Sequence, residues 1–205
     1  MARKPAPTSE LKRQILEAAV NLFAKEGLEA VSMRKVAAQV GCSATAIYLY
    51  FANKEALMEA LVRQEFMDLA EAMESLRDIK DPIQRLQDFS KAYVRFALDK
   101  ADHYRFIFMT LRPGPGDAAL ADRGQTEVNA YLMAKEAAAQ AIQEGRLRAD
   151  LDPHLVAQTL VTAIHGILAL HLVGFQDPWL PWHPIDLRVE CMMNTLLTGM
   201  APYAN

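Results

Sequence analysis

The segment from Ser32 to Phe51 gathers side chains suited to meeting a polyanion. Ser32 and Ser43 are helix-capping residues, and the free N–H groups behind such caps can receive phosphate oxygens. Arg34 and Lys35 stand beside the first cap, and Lys54 adds a cation just beyond the segment. Thr45 can hydrogen-bond a base edge, and alanine methyls such as that of Ala44 can meet a thymine methyl. Tyr48 and Tyr50 carry hydroxyls able to reach phosphates. This chemistry is that of reading double-stranded DNA.

Two short helices joined at a turn must position these groups. One is expected from Ser32 to Gly41, with Val36, Ala37 and Val40 inward. The other runs from Ser43 to near Phe51, with Ile47 and Phe51 turned back onto Phe23 and Val36. Gly41 opens the turn, where backbone freedom is needed. The layout is that of a helix-turn-helix. Ala44, Thr45 and Tyr48 are left on its exposed side.

A first helix is expected over Ser9–Lys25, with Ser9 as N-cap and Gly27 past its end. A long fourth helix should open near Asn53 and reach about Ile79. Further helices are expected near 82–100, 102–111, 123–144, 153–174 and 185–200. Prolines fall at helix starts and loops, and no run alternates over strand length. The fold expected is all-α: a three-helix DNA-reading domain over residues 1–54 and a helical ligand-binding and dimerising domain over 55–205. Their boundary would lie in the fourth helix.

The net charge of −3 conceals an asymmetry: residues 1–54 carry +4 and the remainder −7. A basic head on an acidic body implies that the head alone meets phosphate. Cys42 and Cys191 are far apart and match no metal-ligand spacing, so a reduced, cytoplasmic protein is expected. No secretory leader and no membrane span are expected. No nucleophile–base pairing, phosphate loop or paired metal ligands are evident, so neither catalysis nor a cofactor is expected.

The segment 9–60 resembles the DNA-binding domain of the tetracycline-repressor (TetR) family. The resemblance rests on the Ile15–Phe23 helix, Gly27, Ser32-Met-Arg, Val36-Ala, Gly41-Cys-Ser, Ile47-Tyr-Leu-Tyr-Phe51 and Lys54-Glu-Ala-Leu57. It implies that Ala44, Thr45, Tyr48 and Leu49 face bases, while Ser32, Tyr50 and Lys54 face phosphates. Position 45 is Thr where many members have Gly. The stretches His103–Met109 and Thr162–Leu168 resemble a ligand-binding domain named for a Trp-His-Gly motif, with Ile164 in the Trp position and His165-Gly166 kept. That resemblance implies a homodimer through the last two helices and a pocket among the middle ones.

Residues 155–173 are apolar nearly all round (Leu155, Val156, Leu160, Val161, Ile164, Ile167, Leu168, Leu170, Leu172), so this helix must be covered on more than one side. A homodimer interface is the natural cover. Phe66, Met67, Tyr93, Phe96, Tyr104, Phe108, Met109, Tyr131 and Met133 are candidates to line a pocket for a small apolar or amphipathic effector, as adaptable Met and aromatic side chains do. Each taken singly reads more readily as ordinary core. His165 is a further candidate contact, or a satisfied core histidine. Trp179 and Trp182 are expected to anchor the loop before the last helix. A ligand-independent regulator and an activator are the alternatives to a ligand-released repressor.

Overall fold

The structure is a computed structural model that describes residues 8–110, 127–174 and 179–203. Helix is the only regular structure among them. The elements are α1 (Thr8–Glu26), α2 (Met33–Val40), α3 (Ala44–Tyr48), α4 (Lys54–Met73) with a 3-10 turn Glu74–Asp78, and α5 (Pro82–Asp99). There follow α6 (Ala101–Tyr104), a π-helical stretch Arg105–Thr110, α7 (Glu127–Gln143), α8 (Pro153–Leu172) and α9 (Ile185–Met200). The Pro/Gly loop around Pro113 and Pro115, and Asp177–Pro178, lie outside the described residues.

Several helix starts are chemically explicit. Asn53 Oδ1 accepts the Ala56 N–H at 2.8 Å at the head of α4. Asp81 accepts the N–H groups of Ile83 and Gln84 before Pro82 opens α5, and Asp152 accepts that of Leu155 before Pro153 opens α8. An acceptor before proline satisfies orphan donors where proline itself has none to offer. Ser9 is inside α1 rather than at its cap, because the helix begins at Thr8. The second helix of the turn motif is also shorter than expected. The Tyr50 and Phe51 N–H groups converge on the Ile47 carbonyl, so regular α-helix stops at Tyr48. The long fourth helix tightens to 3-10 geometry after Met73 instead of running on as α-helix.

The chain forms two compact units. The first contains the described residues up to Glu65 and those from Ala101 to Thr110. Its core holds Ile15, Ala19, Phe23, Val36, Ile47, Phe51, Leu57, Leu61, Tyr104 and Phe106. His103 Nδ1 pairs with the buried Glu65 carboxylate, joining α6 to α4 inside this unit.

The second unit contains Phe66–Lys100 and the described residues from Glu127 onward. Helix α4 therefore begins in one unit and ends in the other. Helix α7 packs on both α5 and α8. Ala130, Ala134, Ala137, Ala138 and Ala141 are buried on it, and their short side chains let the neighbours approach closely.

Helix α8 is long and apolar enough to cross a membrane by length and composition. It is divided by face. Val156, Leu160, Ile164 and Leu168 are buried within the second unit, whereas Leu155 and Leu170 are 56% and 43% exposed. The first four are thus core of the single chain and not a surface awaiting a partner. Trp182 is held under the Arg188 guanidinium, 5.2 Å from its ring centroid. Trp179 is 88% exposed.

Candidate functional site

The helix-turn-helix is built from capping groups and buried anchors: Met33, Val36 and Ala37 on α2 and Ile47 on α3. Ser32 Oγ accepts the Lys35 N–H at 3.3 Å, and Ser43 Oγ accepts the Ala46 N–H at 3.1 Å. Gly41 has φ +78°, and its N–H and that of Cys42 both reach the Ala37 carbonyl at 3.0 Å. This left-handed cap lets the chain leave α2 and re-enter helix within three residues. Ile47 is fully buried on α3. A helix this short is held by tertiary packing rather than by its own hydrogen bonds.

With Ile47 inward, the opposite face of α3 is open. Thr45 is exposed, Tyr48 is 49% exposed and Leu49, just past the helix, is 81% exposed. Ala44 and Tyr50 are half-buried, and the caps Ser32 and Ser43 are exposed with Arg34. Lys35 forms an ion pair with Glu26 at the end of α1. Lys54 is half-buried: its ammonium donates to the Leu28 carbonyl and lies 5.7 Å from the centroid of the Phe23 ring. It is therefore a held cation, where sequence reading expects only a cation at a helix start.

The residues expected to line an effector site are divided between the two units. The rings of Tyr104 and Phe108 lie 4.7 Å apart, tilted by 39°, in the first unit. Tyr93 and Phe96 are buried in the second, and the Tyr93 phenol is hydrogen-bonded to His165 Nε2 at 2.7 Å. Burial pushes the His165 imidazole down to about 4. Tyr131 is half-buried, with its phenol 3.0 Å from His154 Nδ1. Met133 is buried, Phe66 is half-buried and Met67 is 48% exposed. The Met109 side chain lies outside the described residues.

A cavity of about 520 Å³ lies between α5 and α9, with Val94, Val189 and Met193 at its floor and Lys91, Arg95 and Glu190 among its polar walls. None of the expected lining residues borders it. In sequence its walls are polar residues four apart, Gln87-Lys91-Arg95 and Asp186-Glu190-Asn194, a pattern that reads as two solvated helix faces.

A capped helix-turn-helix carried by an otherwise helical chain defines a DNA-binding regulator. Residues 15–61 match the bacterial regulatory proteins of the tetR family, and residues 86–196 match the tetracyclin repressor-like C-terminal domain. The chain belongs to the TetR family of transcriptional regulators.

It is 28% identical over 153 residues to the fatty acid metabolism regulator protein of Bacillus subtilis, covering 74% of this chain and 78% of that protein. It is 29% identical over 165 residues to the transcriptional repressor KstR2 of Mycobacterium tuberculosis, covering 76% and 78%. In fold it is similar to the crystal structure of the regulator FadR from Bacillus subtilis in complex with stearoyl-CoA. The TM-score is 0.79 at 20% identity, over 91% of this chain and 98% of that one. A protein from Rhodococcus sp. RHA1 gives 0.78 at 23% identity, over 98% and 100%.

Proposed function

We propose that the chain is a cytoplasmic transcriptional repressor that binds a palindromic operator as a homodimer and is released by an apolar or amphipathic small molecule. Residues 1–54 read the DNA, and residues 55–205 sense the effector and dimerise. The observation that carries the reading is the open face of α3, with Thr45, Tyr48 and Leu49 outward just after the second of two capped helix starts. Thr45, Tyr48, Leu49 and Ala44 meet base edges, and Ser32, Arg34, Ser43, Tyr50 and Lys54 meet phosphates.

The dimer reading is supported by the outward apolar side chains Leu155 and Leu170 on α8 and Leu187 on α9, each at least 43% exposed. A second copy covers them more economically than solvent. The C-terminal part is of the Trp-His-Gly class, as His165-Gly166 supports. Tyr93 and His165 supply a polar pair within an aromatic interior that includes Phe96, suited to anchoring the polar end of an effector. The regulators of fatty acid metabolism among the relatives, and the stearoyl-CoA bound to FadR, make long-chain acyl thioesters the first class to test.

Helix α4 has residues in both units and is the element through which effector and operator compete. Their coupling is then reciprocal. Two recognition helices must lie about one DNA turn apart, roughly 34–36 Å, to engage both half-sites. The test is titration of the purified protein on its own upstream DNA, with and without stearoyl-CoA, alongside effector binding with and without saturating operator. Weaker DNA binding with effector and weaker effector binding with DNA are expected. Equal effector affinity in the two states would exclude the coupling.

A further inference from the structure

Phe106 lies in the π-helical stretch after α6, inside the segment 86–196 that matches the C-terminal domain family. Yet it belongs to the same compact unit as the helix-turn-helix. It is 1% exposed, and its ring stacks on that of Phe23 with centroids 5.1 Å apart and planes 10° from parallel. The Phe23 ring is the one over which the Lys54 ammonium lies. The three side chains come from α1, α4 and the π-helical stretch.

We propose that Phe23 and Phe106 are positioning residues for DNA binding, and that they hold the Lys54 ammonium ready for a phosphate. The proposal rests on the reading of Lys54 as a phosphate contact. An ammonium has three donors. The Leu28 carbonyl takes one, and the ring face of Phe23 attracts the charge without using a lone pair. Two donors remain for a phosphate oxygen.

A free lysine side chain would lose rotamer freedom on binding DNA, and one already held loses less. Phe23 can hold the charge only while its own ring is fixed, and the near-parallel Phe106 ring fixes it. The π-helical stretch bonds i to i+5, and this local register sets which side chain faces α1. A residue of the C-terminal family segment thereby sets the affinity of the head for phosphate, without touching DNA.

A double-mutant cycle tests this, because it separates positioning from general support of the fold. Phe106→Leu keeps an apolar side chain of similar reach and removes the stack. Affinity is measured for the upstream DNA and for an unrelated duplex, in the Lys54 and Lys54→Ala backgrounds. Phe106→Leu should weaken both duplexes by the same factor, about two- to fivefold, and should have no effect once Lys54 is alanine. Equal weakening in both backgrounds, no weakening at all, or a change confined to one duplex would overturn the proposal. Full DNA affinity in Lys54→Ala alone would remove the phosphate reading on which it stands. If Phe106→Leu melts below the assay temperature, Phe106→Met carries the same cycle.

Discussion

The Tyr93 phenol of α5 and the His165 imidazole of α8 form a 2.7 Å hydrogen bond inside the second unit. Desolvation places the imidazole pKa at about 4 in the folded chain, below its ordinary value of 6.5. The group is therefore neutral at pH 7 in both the folded and the unfolded chain. Between pH 6.5 and about 4 only the unfolded chain takes up the proton, so stability falls as pH falls through that window. The loss amounts to about 3 kcal/mol by pH 4. His165→Gln retains a hydrogen-bonding partner for Tyr93 but cannot titrate. Thermal melts from pH 7.5 to 4.5 should show a shallower decline for the variant, and parallel declines would contradict the assignment.

A second expectation concerns the two faces of α8. Leu170 is 43% exposed in the single chain, whereas Leu160 is fully buried in it. Leu170→Glu should leave the fold intact and yield monomers that bind operator weakly, because a dimer would have to bury the unpaired charge at about 3–5 kcal/mol. Leu160→Glu should unfold the chain instead. Sedimentation with circular dichroism distinguishes the cases, and a folded Leu170→Glu dimer of normal affinity would sink the interface reading.

Much of this fold is legible from local chemistry. Ser32, Gly41 and Ser43 announce the turn motif, and Asp81-Pro82 and Asp152-Pro153 announce two helix starts. What is not legible depends on residues far apart in sequence. The Phe23–Phe106 stack joins positions whose partnership no periodicity records. The all-round apolar pattern of α8 says that two sides must be covered, but not which residues face the chain's own core. Leu155 and Leu160 look alike in the sequence, and only packing separates them. Residues for an effector are the least legible in the sequence, since methionines and aromatics serve a core more often than a pocket.

The turn itself offers a third test. Gly41 sits at φ +78°, and a Cβ there would meet nothing within 4 Å. Any penalty for Gly41→Ala is conformational, not steric, and should be about 1–2 kcal/mol. Chemical denaturation should show that loss. A neutral Gly41→Ala would mean that the turn adopts another backbone geometry in solution.

The last expectation separates specificity from affinity on the exposed face of α3. Thr45 has a hydroxyl for a base edge, and Leu49, at 81% exposure, has an apolar end for a thymine methyl. Neither side chain is buried in the single chain, so alanine at either position should leave stability nearly unchanged. Each substitution should relax base preference at one position of each half-site, at about 1–3 kcal/mol per lost base contact. Binding to an unrelated duplex should not change, because that affinity comes from phosphate neutralisation. Lys54→Ala should do the opposite: it should weaken every duplex alike and reduce the slope of log affinity against log salt by about one. Selection of preferred sites from random duplexes, combined with a salt series, measures both quantities. If Lys54→Ala shifted the preferred sequence while Thr45→Ala and Leu49→Ala left it alone, the roles assigned to the two sides of the motif would be reversed.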